Sequence, residues 1–165
     1  MSESTPQTHI HISVQTDDFD LAAEYTQARQ QSANPGAIVC FCGLVRDVLA
    51  GQEQAAAQQT LTLEHYPGMT ENALMDIATQ AADRWPLHAI RIIHRVGTLS
   101  PTEQIVLVVT SSAHRSAAFE SAEFIMDYLK TSAPFWKKQV AGAKSEWVAS
   151  RESDYRAAAR WSAPD

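Results

Sequence analysis

Two short apolar runs, Ala37–Cys42 and Gln104–Thr110, set the strongest constraint on the fold. Each is too short for a buried helix and lacks the polar alternation of a strand with one wet face, so both are expected as strands inside a covered sheet. His9–Val14 and Thr60–Tyr66 alternate apolar and polar residues, and Ala89–Val96 is also strand-like. Between them lie stretches of helical period. Asp17 and Asp18 can cap a helix over Phe19–Gln30 that turns Leu21, Ala22 and Tyr25 inward. Thr70 can cap a second, carrying Leu74, Ile77, Ala78, Ala81 and Trp85 up to Pro86. Ser112 can cap a third, running to about Leu129 with Ala118, Ala122, Ile125 and Met126 as its inner stripe, and Pro134 stops the chain soon after. Asn34-Pro35-Gly36 and Gly97–Pro101 read as turns, and the tail holds a short strand around Trp147 and a helix over Tyr155–Trp161. Strands and helices mix without strict alternation, which predicts an α+β fold rather than a doubly wound sheet.

A chain of 165 residues fits one domain, expected over 9–165 behind a flexible tail at 1–8, and residues 47–58 read as a long polar loop. No apolar run spans a bilayer and the N-terminus has no signal-peptide pattern, so the expected location is the cytoplasm, with no membrane partner. A net charge of −6 argues against nucleic acid as a partner. Cys40 and Cys42, two apart on one strand, are expected as small buried hydrophobes. His9 and His11 share a strand face without a third ligand, and His65 and His94 read as structural histidines, so no metal site is expected.

The distribution of charge says more than its sum. Of four lysines, three (Lys130, Lys137 and Lys138) fall within nine residues, and no Asp or Glu occurs from Tyr128 to Ser145. Pro134 fixes the exit from the third helix, and Phe135 and Trp136 are expected to anchor the following turn by burial, presenting Lys130 and Lys137 from either side of a corner. Lysines held among other cations are favoured as bases or nucleophiles. A second segment, Thr110–Ser116, passes from a core strand into a helix whose N-terminal N–H groups favour anions, and His114 and Arg115 stand there. Arg46, at the end of a buried strand, is a third candidate for gripping a phosphate. An exposed first helical turn and a solvated basic face are the plainer explanations of these features.

Several blocks occur in order: Gly43-Leu44-Val45-Arg46, Leu61–Met69, Ile93-His94-Arg95-Val96-Gly97, Ser112-Ala113-His114-Arg115-Ser116, Phe124–Lys130, Ala133–Lys137 and Arg151-Glu152-Ser153-Asp154. Together they resemble the large, catalytic subunit of molybdopterin synthase, from about residue 36 to the C-terminus. The resemblance implies an α/β hammerhead-type domain with a mixed sheet and packed helices. It implies a homodimer at the centre of a heterotetramer, each copy binding a small ubiquitin-like sulfur-carrier subunit. The implied reaction moves sulfur from the carrier's C-terminal thiocarboxylate to cyclic pyranopterin monophosphate, forming the dithiolene of molybdopterin without a bound cofactor. Lys130 and Lys137 would be catalytic; Arg46, Val45, His114, Arg115 and Lys138 would bind substrate. A scaffold that holds a ubiquitin-like partner without chemistry is the alternative from another class. A hydrolase using His114 lacks an acidic partner in its motif.

Overall fold

The computed structural model describes residues 7–47, 59–142 and 144–162. Most of the expected tail and of the 47–58 loop lies outside these residues; Thr8, which is inside, donates its hydroxyl to the Leu87 carbonyl at 2.8 Å.

The strands form two four-stranded sheets. The first contains β1 (His9–Gln15), β2 (Ala37–Leu44), β4 (Leu87–Arg95) and β6 (Gln104–Ser112) in the order β1-β4-β6-β2. β1 runs parallel to β4, and the other pairings are antiparallel. The second contains β3 (Gln59–His65), β5 (Gly97–Leu99), β7 (Phe135–Ala141) and β8 (Lys144–Val148) in the order β5-β3-β7-β8, all antiparallel. The helices are α1 (Leu21–Gln30), α2 (Met69–Arg84), α3 (Arg115–Ser132) and α4 (Glu152–Ala159), the last continuing into a 3-10 turn at Arg160–Ser162. This is the α+β fold expected from the pattern.

The continuous apolar run of β6 follows from burial on both faces, and β4, buried along nearly its whole length, admits Arg91 and His94 among its apolar residues. Ile90, Ile92, Val106 and Val108 meet α2 and α3 through Leu74, Ile77, Ala78, Phe124 and Ile125. On the other face Ala89, Ile93, Leu107 and Val109 pack with Phe19 and with Ala28 of α1. A smaller cluster of Val45, Leu63, Val96 and Leu99 joins the two sheets.

Several local expectations are corrected. Leu21, Ala22 and Tyr25 of α1 are exposed; the face turned to the sheet carries Ala28 and Glu24, and Glu24 pairs with the buried Arg91. An ion pair took the place that an apolar stripe was expected to fill. The cap of α1 is Asp20, whose carboxylate accepts from the Ala23 N–H at 3.1 Å, not Asp17 or Asp18. Gly68, at φ 85°, precedes α2, while Thr70 lies inside its first turn and donates to the Pro134 carbonyl at 3.0 Å. Ser112 still belongs to β6, and its hydroxyl donates to the Pro86 carbonyl, so α3 begins later, at Arg115. Gly97–Leu99 pairs with β3 as a strand rather than only turning. Cys40 is exposed and Cys42 half-buried, because β2 is the edge of its sheet. Phe135 and Trp136 open a strand, with Trp136 facing outward, rather than anchoring a turn.

The Arg91–Glu24 pair gives a stability prediction. Removing one member strands a buried charge, so Glu24→Ala is expected to cost about 3 kcal/mol. Urea denaturation measures it; a loss below about 1 kcal/mol, the ordinary worth of an exposed pair, would contradict the assignment.

Candidate active site

The corner between α3 and β7 is built by sequence-local rules and then locked from outside. Pro134 cannot continue the helix, Ala133 turns to extended backbone (φ −84°, ψ 132°), and the Thr70–Pro134 bond ties the corner to the start of α2. Lys130 stands in the last turn of α3 and Lys137 on β7, three residues past Pro134. Along β7 the residues alternate: Phe135, Lys137 and Gln139 are half-buried, while Trp136 and Lys138 face out.

Lys130 and Lys137 line a cavity of about 770 Å³ together with Arg46, His94, Trp147, Arg151 and Asp154. That volume suits a small ligand. Arg46 arrives from the end of β2, held there because Val45 donates its N–H to the Glu103 carbonyl at 2.9 Å and accepts from the Thr102 N–H at 2.8 Å. Lys130 Nζ lies 3.8 Å from Asp154 Oδ1. Burial lowers the pKa of Lys137, the Lys130 charge lowers it further, and Asp154 acts in the opposite direction.

Of the residues expected in the site, Arg46, Lys130 and Lys137 share this cavity. The others are elsewhere. Val45 is buried against Leu63, Val96 and Leu99, so its side chain serves packing rather than substrate. Lys138 points to the opposite face of β7, with Nζ 6.0 Å from the centre of the Trp147 ring. His114 and Arg115 are exposed at the start of α3, about 22 Å from Lys130 along the helix at a rise of 1.5 Å per residue. His114 is the N-cap, and its own N–H donates to Ser112 Oγ at 3.2 Å.

Three residues that line the cavity carry no functional signal in the sequence. Arg151 and Asp154 belong to a quoted block, Arg151–Asp154, but carried no function there. The His94 ring stacks on Phe135 with centroids 3.9 Å apart, and its Nδ1 donates to the Arg95 carbonyl at 2.8 Å. The same ring also forms part of the cavity wall. Burial lowers its pKa to about 4, only partly opposed by the Arg95 bond and assisted by the charge on Lys137. No group of three or more metal-ligating side chains occurs among the described residues.

A sequence profile for the MoaE protein family matches residues 14–132. The chain belongs to the MoaE family. A relative from Vibrio cholerae serotype O1, named molybdopterin synthase catalytic subunit, is 53% identical over 150 residues, 91% of this chain and 97% of the relative. Among solved structures, molybdopterin cofactor biosynthesis protein E from Burkholderia multivorans is 48% identical with a TM-score of 0.79, covering 95% of this chain and 99% of that one. Molybdopterin synthase from Staphylococcus aureus is 28% identical with a TM-score of 0.71, covering 83% and 96%. As a MoaE protein, the chain has its cationic corner within or just beyond the matched segment: Lys130 falls inside it and Lys137 follows it.

Two predictions follow from the titrating groups. An unfolded histidine protonates near pH 6.5, whereas folded His94 resists protonation down to about pH 4. The unfolded state therefore binds more protons in that window, and folding stability falls as pH drops from 6.5, the full loss of about 3 kcal/mol being reached below 4. Urea denaturation of the parent and of His94→Leu across this range should show a flatter acid limb in the variant; equal slopes would refute it. Lysine NMR should show Lys137 titrating below the ordinary lysine range, with its pKa moving back up in Lys130→Met; no movement would show that the two charges do not interact.

Proposed function

We propose that the chain is the catalytic subunit of a molybdopterin synthase, moving sulfur from the C-terminal thiocarboxylate of a small ubiquitin-like carrier to cyclic pyranopterin monophosphate. The observation that carries this reading is the convergence of Arg46, Lys130 and Lys137, distant in sequence, on one cavity. A phosphorylated substrate and an anionic carrier tail both need such a surface, since hydrogen bonds to charged groups are about twice as strong as neutral ones. The names carried by the relatives point the same way.

In this reading Arg46 grips the phosphate. Lys130 stands beside the carrier's thiocarboxylate and assists its attack on the substrate, either stabilising the negative charge that develops or donating a proton. Lys137, whose ammonium gives up its proton more readily than that of a free lysine, orients the substrate or the carrier tail. His114 and Arg115 cannot reach this cavity from their own chain. In the homodimer implied by the family resemblance, His114 and Arg115 serve the cavity of a second copy; their exposure at a helix N-terminus, where N–H groups favour anions, supports this reading. The working assembly is then a heterotetramer of two large subunits and two carriers, acting in the cytoplasm.

The test is reconstitution with thiocarboxylated carrier and cyclic pyranopterin monophosphate, following the dithiolene product. Lys130→Ala is expected to abolish product formation while leaving the melting temperature and carrier binding close to those of the parent. Near-normal turnover in that variant would rule out the assigned chemistry. Carrier binding by the parent protein with no dithiolene formed would identify a scaffold instead.

A further inference from the structure

We propose that Asp154 is a positioning residue for Lys130, supplied by the C-terminal segment to aim the lysine's ammonium into the cavity. The inference rests on the role given to Lys130 above. It starts from a charge imbalance. The segment carrying Lys130 and Lys137 has no acidic residue from Tyr128 to Ser145, and the nearest one on the same helix, Asp127, has its Oδ2 engaged by Arg160 and the Trp161 indole. Among the described residues that line the cavity, Asp154 is the sole carboxylate, and it comes from α4, beyond β7 and β8.

The two carboxylate oxygens have separate partners. Oδ2 accepts the Arg151 N–H at 2.9 Å, which fixes the side chain against the first turn of its own helix. Oδ1 faces Lys130 Nζ at 3.8 Å. A charge-assisted bond that fully committed the ammonium would be about 2.7–2.9 Å long. At the longer distance the carboxylate directs the lysine without using up its donors, which stay available for an anionic ligand. Asp154 is also much less exposed than Lys130, at 20% against 49% of the side chain, so the rigid member of the pair guides the flexible one.

The surrounding contacts keep this alignment. Ser150 donates its hydroxyl to the Lys130 carbonyl at 2.7 Å, joining the segment before α4 to the same residue whose side chain Asp154 faces. Beyond α4, Arg160 and the Trp161 indole both donate to Asp127 Oδ2, at 2.9 and 2.7 Å. Trp161 then packs edge-on against Phe124 and Trp85. The C-terminal segment is therefore attached to α3 on both sides of Asp154. Such an arrangement suits a catalytic group on a flexible stem, whose misplacement by 1 Å can cost on the order of a hundredfold in rate.

A purely structural role, as the acceptor at the start of α4, makes a different prediction. Asp154→Asn keeps the acceptor and the shape but removes the charge; Asp154→Glu keeps the charge and lengthens the arm. In the reconstituted enzyme with carrier and cyclic pyranopterin monophosphate, positioning predicts that Asp154→Asn lowers kcat by roughly ten- to a hundredfold. KM for the phosphorylated substrate should stay level or fall, since a negative charge leaves the cavity. Asp154→Glu should retain more kcat than Asp154→Asn, with both melting near the parent. An Asn variant as fast as the parent, an Asn variant faster than the Glu variant, or a large fall in melting temperature with Asn would each overturn the proposal. If Lys130→Ala is inactive in the same assay while Asp154→Asn is normal, only this inference fails. If Lys130→Ala turns over normally, the reading of the site fails with it.

Discussion

The cavity depends on one mechanical constraint: the last turn of α3 must be held rigidly between two sheets. Three positive groups cannot be brought together on a flexible chain, because their repulsion and the desolvation of Lys137 both favour separation. Here that opposition is met by burial. Phe124, Ile125 and Leu129 anchor α3 against the first sheet just before Lys130, and Phe135, stacked on His94, anchors β7 just before Lys137. Each lysine thus emerges next to a fixed apolar residue. The cost of assembling like charges is met by this packing, part of which (Leu129, Phe135 and His94) also forms the cavity wall.

This division of labour explains what could be read in the sequence and what could not. In the first sheet β6 is legible because burial on both faces leaves an uninterrupted apolar run, and β1 because its residues alternate; β2 reads as a buried run although it lies at the sheet's edge. α2 and most of α3 are legible because a single buried stripe leaves a helical period. α1 was misread in orientation. Its inward face spends a position on Glu24 to meet Arg91, and a charged residue at an inward position is invisible to an apolar pattern. The same effect hid β7. Its alternation of Phe135, Lys137 and Gln139 against Trp136 and Lys138 is a regular strand pattern, but Lys137 occupies an inward position for the sake of the cavity, and the run reads as a basic corner.

The site was legible in part for a related reason. Lys130 and Lys137 stood out because an acidic chain rarely keeps a long acid-free stretch, and Arg46 because it ends a buried strand. Asp154 and His94 left no comparable signal. One is an ordinary acidic residue in a helix's first turn, the other an ordinary histidine within a strand. Their relation to the cavity comes from tertiary contact: α4 lying on α3, and the second sheet folding over the end of β4. Val45, beside Arg46, is buried among Leu63, Val96 and Leu99, and that burial fixes the backbone from which Arg46 extends.

The separation of His114 and Arg115 from Lys130 is the most informative departure. An α-helix is stiff over four or five turns, so groups at opposite ends of α3 cannot share a small ligand whatever their side chains do. The five candidate side chains Arg46, Lys130, Lys137, His114 and Arg115 therefore form two groups in each chain, one in a cavity and one on an exposed helix N-terminus. A helix N-terminus with an adjacent guanidinium is a competent anion site, but an open one, where screening by salt weakens any charge-based contact. Burial against a second molecule would remove that screening. In the dimer proposed above, each copy lends its helix N-terminus to the other's cavity, an exchange that a twofold axis satisfies at both sites at once.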